Sequence, residues 1–478
     1  MVFTSLNFLL FFPAVVILSY LTPARYRWVT LLAASYFFYL NIKPVYALLS
    51  AGITLSTYLF TRLIDGTENE DHKRRYMLIN VFLILLPLLF FKYFSAVNNE
   101  ILAVLDKHNL RWPLPELKYI LPIGISYYTF MCIGYTVDVY NEEIEAEKNI
   151  GIVALFVAFF PLILSGPIER ARNMIPQFRN FRPLSYENVA AGLKLMLWGY
   201  FMKLVVADRI GMYVDVVYGN IPGHNGSSLL IATILYPFQV YADLGGYSLI
   251  AIGVARVMGL TVMQNFNRPF YATSMAEFWR RWHMSLITWL TDYVYTPLSF
   301  TFRRIGIWGI VLALMITFLL SGIWHHADMT SVVWGLMQGT FLSVEALLHK
   351  RRNAFENKYS LMKRPLYLLF CMITTFVLFT SSQVFGRADT LSDSFLVYSR
   401  IFSGHLGSPY LDLTTLTYSV LGIATLLLAD FKNEFYPGKI AFFNNRRIWI
   451  RYASYLSVLF VILILGVFEG NSFIYFQF

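Results

Sequence analysis

Thirteen apolar stretches separated by short charged loops leave this chain few folds to adopt. They lie near 6–22, 27–43, 45–61, 76–95, 119–140, 149–168, 189–209, 228–258, 305–323, 329–348, 364–385, 414–430 and 452–469. A helix crosses a bilayer with roughly 17–25 apolar residues. Backbone groups in lipid must bond within their own segment, so such stretches are read as helices. Only 14% of the residues are charged and 57% are hydrophobic, against about 25% charged in soluble domains. The expectation is an all-α polytopic membrane protein, one domain over 1–478. About 11–13 of its hydrophobic helices are expected, some of them re-entrant or interfacial.

The formal charge is +10, and the basic residues sit in the short loops. That fits the positive-inside bias of a membrane protein and a lipid environment; no nucleic-acid partner is expected. Lys73, Arg74 and Arg75 mark 62–75 as cytoplasmic, and Arg170, Arg172, Arg179 and Arg182 mark 169–182 likewise. The clusters at 350–352 and 446–451 are also assigned inside, and the loop 386–413 outside. Counting back puts the N-terminus outside and Arg25 and Arg27 inside. No cleavable signal is expected, since Met1–Asn7 carries no positive charge. Between two cytoplasmic loops the chain must cross an even number of times, yet three apolar stretches lie between 76 and 168. The stretch 119–140, interrupted by Pro122 and Gly124, is taken as the re-entrant one. The acidic loop of Glu142, Glu143, Glu145 and Glu147 is then expected outside. Cys132 and Cys371 give neither a disulfide framework nor metal-ligand spacing.

Few residues could do chemistry. His325 follows the apolar run Trp308 to Leu320, and an ionisable group at membrane depth is by default a functional hypothesis. A neutral imidazole can take a proton from a hydroxyl; it can equally bond a neighbouring helix carbonyl. His283 lies in a segment where Trp279, Trp282, Leu286, Trp289 and Tyr293 recur at helical spacing, with Arg280, Arg281 and Asp292 off the stripe. That pattern suits one amphipathic helix at the membrane boundary, with His283 packing or reaching for the interface. Asp243, in Tyr-Ala-Asp-Leu-Gly-Gly-Tyr-Ser, could hold a cation, carry protons or orient an imidazole; it could also be a satisfied group beside a Gly245-Gly246 kink. His325 and His326 are adjacent, and neighbouring helical positions diverge by about 100°. They are therefore not expected to share a face. His325 with Asp328 makes only part of a metal site, so no metal is expected. Ser-Gly-Pro-Ile-Glu-Arg (165–170) is read as a helix end. No Gly-x-Ser-x-Gly elbow, Walker loop or Gly-x-Gly-x-x-Gly is present.

Several segments together carry a resemblance. They are Leu-Pro-Ile-Gly-Ile-Ser-Tyr-Tyr-Thr-Phe (121–130), Phe-Phe-Pro-Leu-Ile-Leu-Ser-Gly-Pro-Ile (159–168), the Asp243 segment, Asn-Phe-Asn-Arg-Pro-Phe (265–270), Phe-Trp-Arg-Arg-Trp-His (278–283), Ser-Gly-Ile-Trp-His (321–325) and the terminal Phe-Ile-Tyr-Phe-Gln-Phe. The chain resembles the membrane-bound O-acyltransferase family, in its bacterial branch of alginate and peptidoglycan O-acetylating proteins. His326 stands where relatives carry glycine, and Leu249 where they carry an acidic residue.

The resemblance implies an O-acyltransferase of the bacterial cytoplasmic membrane. It would move an acyl group, acetyl first, from a cytoplasmic thioester toward a hydroxyl of an extracytoplasmic glycan. His325 would be the catalytic residue and His283 the second essential polar residue. Trp279, Arg281, Trp282, Trp324 and Asp243 are expected on the substrate. No bound cofactor is implied; acetyl-CoA or an acyl carrier is the substrate. A cytoplasmic donor carrier and an extracytoplasmic acyltransferase are the implied partners. D-alanyl transfer to teichoic acid-type acceptors is the alternative chemistry. A secondary transporter using Asp243 and His325 is the alternative class, although no paired interrupted halves are evident.

Overall fold

The computed structural model describes residues 1–478 apart from 42–43, 108–121, 123, 165, 327, 405, 439–440 and 469–478. The terminal aromatic motif and the start of the 119–140 stretch thus lie outside the described residues. Among the described residues every regular element is helical and no strand occurs. Nine helices there are long and apolar enough to cross a membrane by length and composition. Leu456, Phe460 and Leu463 illustrate the outward faces: each is more than 60% exposed on an apolar helix, which only lipid satisfies. The chain divides into two compact units, one of 1–196 with 251–263, the other of 197–250 with 264–478.

The first unit holds α1 (Leu6–Leu21), α2 (Arg27–Leu40), α3 (Pro44–Asp65), α4 (Glu70–Lys107) and α5 (Ile125–Tyr140). It continues with α6 (Ile150–Ala158), α7 (Phe160–Ile163), α8 (Ala171–Arg179) and most of α9 (Tyr186–Tyr200). Its basic loops share a face. Buried Arg27 donates to the carbonyls of Ser19 (2.9 Å) and Arg182 (2.8 Å).

The acidic loop lies on that same face, contrary to the expectation. Lys73 pairs with Glu142 at 2.6 Å, Arg172 with Glu143 at 2.7 Å and Arg179 with Glu147 at 2.7 Å. Two segments between the basic loops are short. α5 lies against α4, with Asn80 bonded to Thr136 at 2.8 Å and Lys73 to Glu142, so the two run antiparallel. Its 16 residues extend roughly 24 Å. The segment from α6 to α7 reaches the same depth as the start of α5. α6 stops after nine residues at Phe159, where Pro161 prevents a continuous helix. The tip at Ile163 reaches Gly124, where a Cβ would sit 2.6 Å from the Ile163 carbonyl oxygen. The chain then returns to Arg172 on the face it left. Gly124, at φ 79°, caps the start of α5, so the break that Pro122 and Gly124 suggested inside 119–140 stands at the beginning of a helix.

The second unit begins in a π-helical turn (Phe201–Ala207) that joins α9 to α10 (Asp208–Tyr218). There follow α11 (Gly226–Val257), α12 (Met275–Arg281), α13 (Met284–Leu290), α14 (Thr296–Thr301), α15 (Ile307–His325) and α16 (Met329–Lys358). The unit closes with α17 (Pro365–Arg387), α18 (Leu391–Phe402), α19 (Leu413–Phe435) and α20 (Ile448–Leu465). One end carries a charged lattice: Glu434 bonds Arg268 (3.1 Å) and Arg281 (2.9 Å), and Arg352 bonds Glu356 (2.8 Å) and the Thr273 carbonyl (3.1 Å). At the other end Asp215 meets Arg387 (2.8 Å), and Arg400 donates to the Ile221 carbonyl (3.0 Å).

Two close helix crossings organise what lies between. A Cβ on Gly199 would stand 2.6 Å from the Gly246 carbonyl oxygen, and one on Gly246 2.8 Å from that of Gly199. α15 and α16 meet through Gly322 and Gly335, where a Cβ on Gly322 would collide with the Ser331 carbonyl oxygen. Small residues allow such approach between apolar helices.

Candidate active site

The expected single amphipathic helix over 277–298 is broken at Trp282 and His283. α12 ends at Arg281, Trp282 is extended, and His283 adopts the left-handed conformation at φ 43°, ψ 51° before α13 begins. A non-glycine residue there is uncommon and costs of order 1 kcal/mol or more. The neighbouring segment holds it. Met284 N–H donates to the Asn265 carbonyl (2.8 Å), Ser285 Oγ to Asn265 Oδ1 (2.9 Å), and Asn267 N–H to the Arg281 carbonyl (2.8 Å). Asn-Phe-Asn is thus a bracket around the histidine turn, and Phe266 lies 6.1 Å from the His283 ring. The aromatic stripe does not face lipid either. Trp279, Trp282, Leu286 and Trp289 are all buried.

His283 is 2% exposed. Burial lowers its pKa from 6.5 to about 4, because a charged imidazole loses its hydration there. It is therefore neutral at physiological pH, with one ring N–H to donate.

His325 ends α15, and its ring stands edge-on to Trp334 (5.0 Å, 83°) and 4.6 Å from Trp324. Asp328 is the N-cap of α16, accepting from Ser331 N–H (2.8 Å) and Thr330 Oγ1 (2.9 Å), which explains the carboxylate beside the two histidines. His283 and His325 line one cavity of about 60 Å³, with Trp279, Trp282 and Trp334 among its walls. Two elements 42 positions apart in sequence thus supply one site.

His326 lines it too, contrary to expectation. The helical divergence argument fails because α15 ends at His325; His326 is extended at φ −143°, ψ 154°. No group of three or more His, Cys, Asp or Glu side chains suited to a metal occurs among the described residues.

Asp243, Arg281 and Trp324 stand apart from the cavity lining. Asp243 is 1% exposed and pairs with Lys203 at 2.7 Å; Lys203 also pairs with Asp208 at 2.7 Å. α11 runs as one helix through Gly245 and Gly246. Val240 and Leu244, its helix neighbours, face the cavity instead. Arg281 bridges Glu277 (2.7 Å) and Glu434 (2.9 Å). Trp324 packs on the His325 ring, centroids 4.6 Å apart.

Sequence reasoning passed over three groups. Lys203 is the first, a cation deep inside an apolar stretch, which is itself the signal. Gln338 is the second. It is fully buried, accepts from Trp279 Nε1 (3.2 Å) and donates to Ser382 Oγ (2.6 Å), fixing an indole of the cavity wall. The third is Glu169, 1% exposed in the first unit. It accepts from Asn173 (2.8 Å) and from the Met263 N–H, and burial raises its pKa. The 165–170 motif, whose Ser165 lies outside the described residues, is therefore more than a helix end.

Comparisons with known proteins agree with this architecture. The model of the membrane-bound O-acyltransferase family matches residues 31–386. The chain is 36% identical to the probable alginate O-acetylase AlgI of Azotobacter vinelandii over 90% of its own length and 83% of that protein's. It is 30% identical to the peptidoglycan O-acetyltransferase of Helicobacter pylori, over 77% and 72%. It is 27% identical to the teichoic acid D-alanyltransferase of Bacillus subtilis, over 48% and 60%. A family match over most of the chain, and relatives above 30% identity along nearly all of it, establish that this protein belongs to the membrane-bound O-acyltransferase family.

Proposed function

We propose that the chain carries an acetyl group from a cytoplasmic thioester, acetyl-CoA or an acyl carrier, to a hydroxyl destined for an extracytoplasmic glycan. The observation that carries this reading is the shared cavity of His283 and His325. The acceptor oxygen attacks the thioester carbonyl carbon while the His325 imidazole takes the hydroxyl proton. The carbon–sulfur bond then breaks, the ester forms, and the proton passes to the departing thiolate. Neutral His283, held rigidly by its Asn265 bracket, donates its ring N–H toward the oxyanion. Trp279, Trp282 and Trp334 exclude water from the acyl group.

Two observations favour acetyl. A site for one water needs about 10–15 Å³, so a cavity of about 60 Å³ has room for a two-carbon acyl group. Identity is also higher, and covers more of the chain, for the relatives named as O-acetylating than for the D-alanyl one. In this reading Asp243, with Lys203, positions α11 beside the site rather than touching substrate, and Arg281 supports α12. A bacterial cytoplasmic membrane, with a separate surface-facing acyltransferase completing glycan transfer, is the setting.

Ester-linked acetate on envelope glycans, measured by mass spectrometry, tests the reading. Deletion should remove it, the native chain should restore it, and His325→Ala at matched abundance should not. Full restoration by His325→Ala would make the histidine structural. Loss of esterified D-alanine in place of acetate would transfer the reading to D-alanylation.

A further inference from the structure

We propose that His326 sets the acyl length this enzyme accepts; the inference rests on the acyl-transfer reading above. The cavity is about 60 Å³, and its aromatic walls are fixed by their packing. Trp279 is fixed by its bond to Gln338. Trp282 is stacked on Phe278 (5.3 Å, 21°) and packed on Phe379 (4.9 Å). His283 is clamped by Asn265. Trp334 rises from the Gly322–Gly335 crossing, whose backbones cannot separate without losing α15 against α16.

His326 also lines the cavity. It is the first residue beyond α15, and its extended backbone turns the imidazole onto the cavity, where a continued helix would have rotated it away. An imidazole is bulkier than an acetyl group. Its side chain therefore decides whether the space beside the reacting carbonyl holds one methyl or a longer chain. Protonation plays no part in this role; bulk does.

One methylene more or less in an apolar pocket changes selectivity by about 10–200-fold. Replacing His326 with a small residue should shift preference by that order for each added carbon. The test uses inside-out membrane vesicles containing the full chain. Acetyl-, propionyl- and butyryl-CoA are the probes, and released thiol is the readout. His326→Gly and His326→Ala should raise the butyryl-to-acetyl ratio of kcat/KM about tenfold or more. His326→Gln, which keeps the bulk without the ring, should stay within about threefold of the native ratio. If the small variants turn over acetyl with the native ratio, the proposal is wrong. It is equally wrong if Gly, Ala and Gln variants all lose turnover at native abundance, since the imidazole would then act chemically. Native vesicles that release thiol from none of the donors would instead sink the acyl-transfer reading itself.

Discussion

His283 combines three constraints in one residue: a left-handed backbone, near-complete burial and a place on the cavity wall. They can be separated. Asparagine tolerates the left-handed region, so His283→Asn should keep the turn, leave the protein folded and lower acyl turnover by about 10²-fold or more. A β-branched His283→Val should lose stability as well, which thermal unfolding in detergent would show. The lowered pKa also has a consequence for pH. The folded state keeps this imidazole neutral down to about 4, whereas the unfolded chain takes a proton below 6.5. Stability should therefore be complete above 6.5 and fall as pH drops toward 4, by at most about 3 kcal/mol from this residue. The melting temperature of His283→Asn should fall less steeply over that window than the native one. Of all this, the sequence displayed only a histidine among tryptophans. The turn depends on Asn265, eighteen positions earlier, and no local periodicity reports such a bracket.

The elements around the site are joined by contacts that a residue list understates. Lys203 stands between two buried carboxylates in a π-helical turn. Removing one partner of a buried ionic cluster costs about 3–5 kcal/mol, because the remaining charge is left in a poor solvent. Lys203→Met should destabilise the protein by that order, and adding Asp208→Asn and Asp243→Asn should restore much of it. Recovery of the melting temperature in the triple variant is the check. The α15–α16 crossing should be less forgiving. Gly335→Leu places a branched side chain where the Phe318 backbone already sits, and should reduce folded yield sharply. The helices themselves were legible from hydrophobic length alone: stretches read near 329–348, 364–385 and 414–430 correspond to α16, α17 and α19. Crossings made by single glycines were not, since a glycine in an apolar run looks the same whether it faces lipid or a neighbouring backbone.

At the scale of the molecule, charge placed the basic loops of the first unit on one face, and Arg27 bonded to Arg182 bears that out. It misplaced the acidic loop, because unlike charges pair across a shared face as readily as they mark opposite ones. Single cysteines introduced at Arg74 and Glu145, both exposed, should accordingly react with an impermeant maleimide from the same side, with native Cys132 and Cys371 buried. Labelling from opposite sides would restore the original topology. The joint site was legible only as two separate histidine motifs, since nothing local tells that 283 and 325 meet. Their joint action is the central claim. It is measured most directly by acetyl-CoA turnover in membranes carrying His283→Ala, His325→Ala and both together, at matched abundance. Residues that act as a unit are non-additive. Each single change should cost about 10²–10⁴-fold, and the double variant should be no slower than the worse single. Losses that simply multiply, or a His325→Ala enzyme at the native rate, would contradict a shared site.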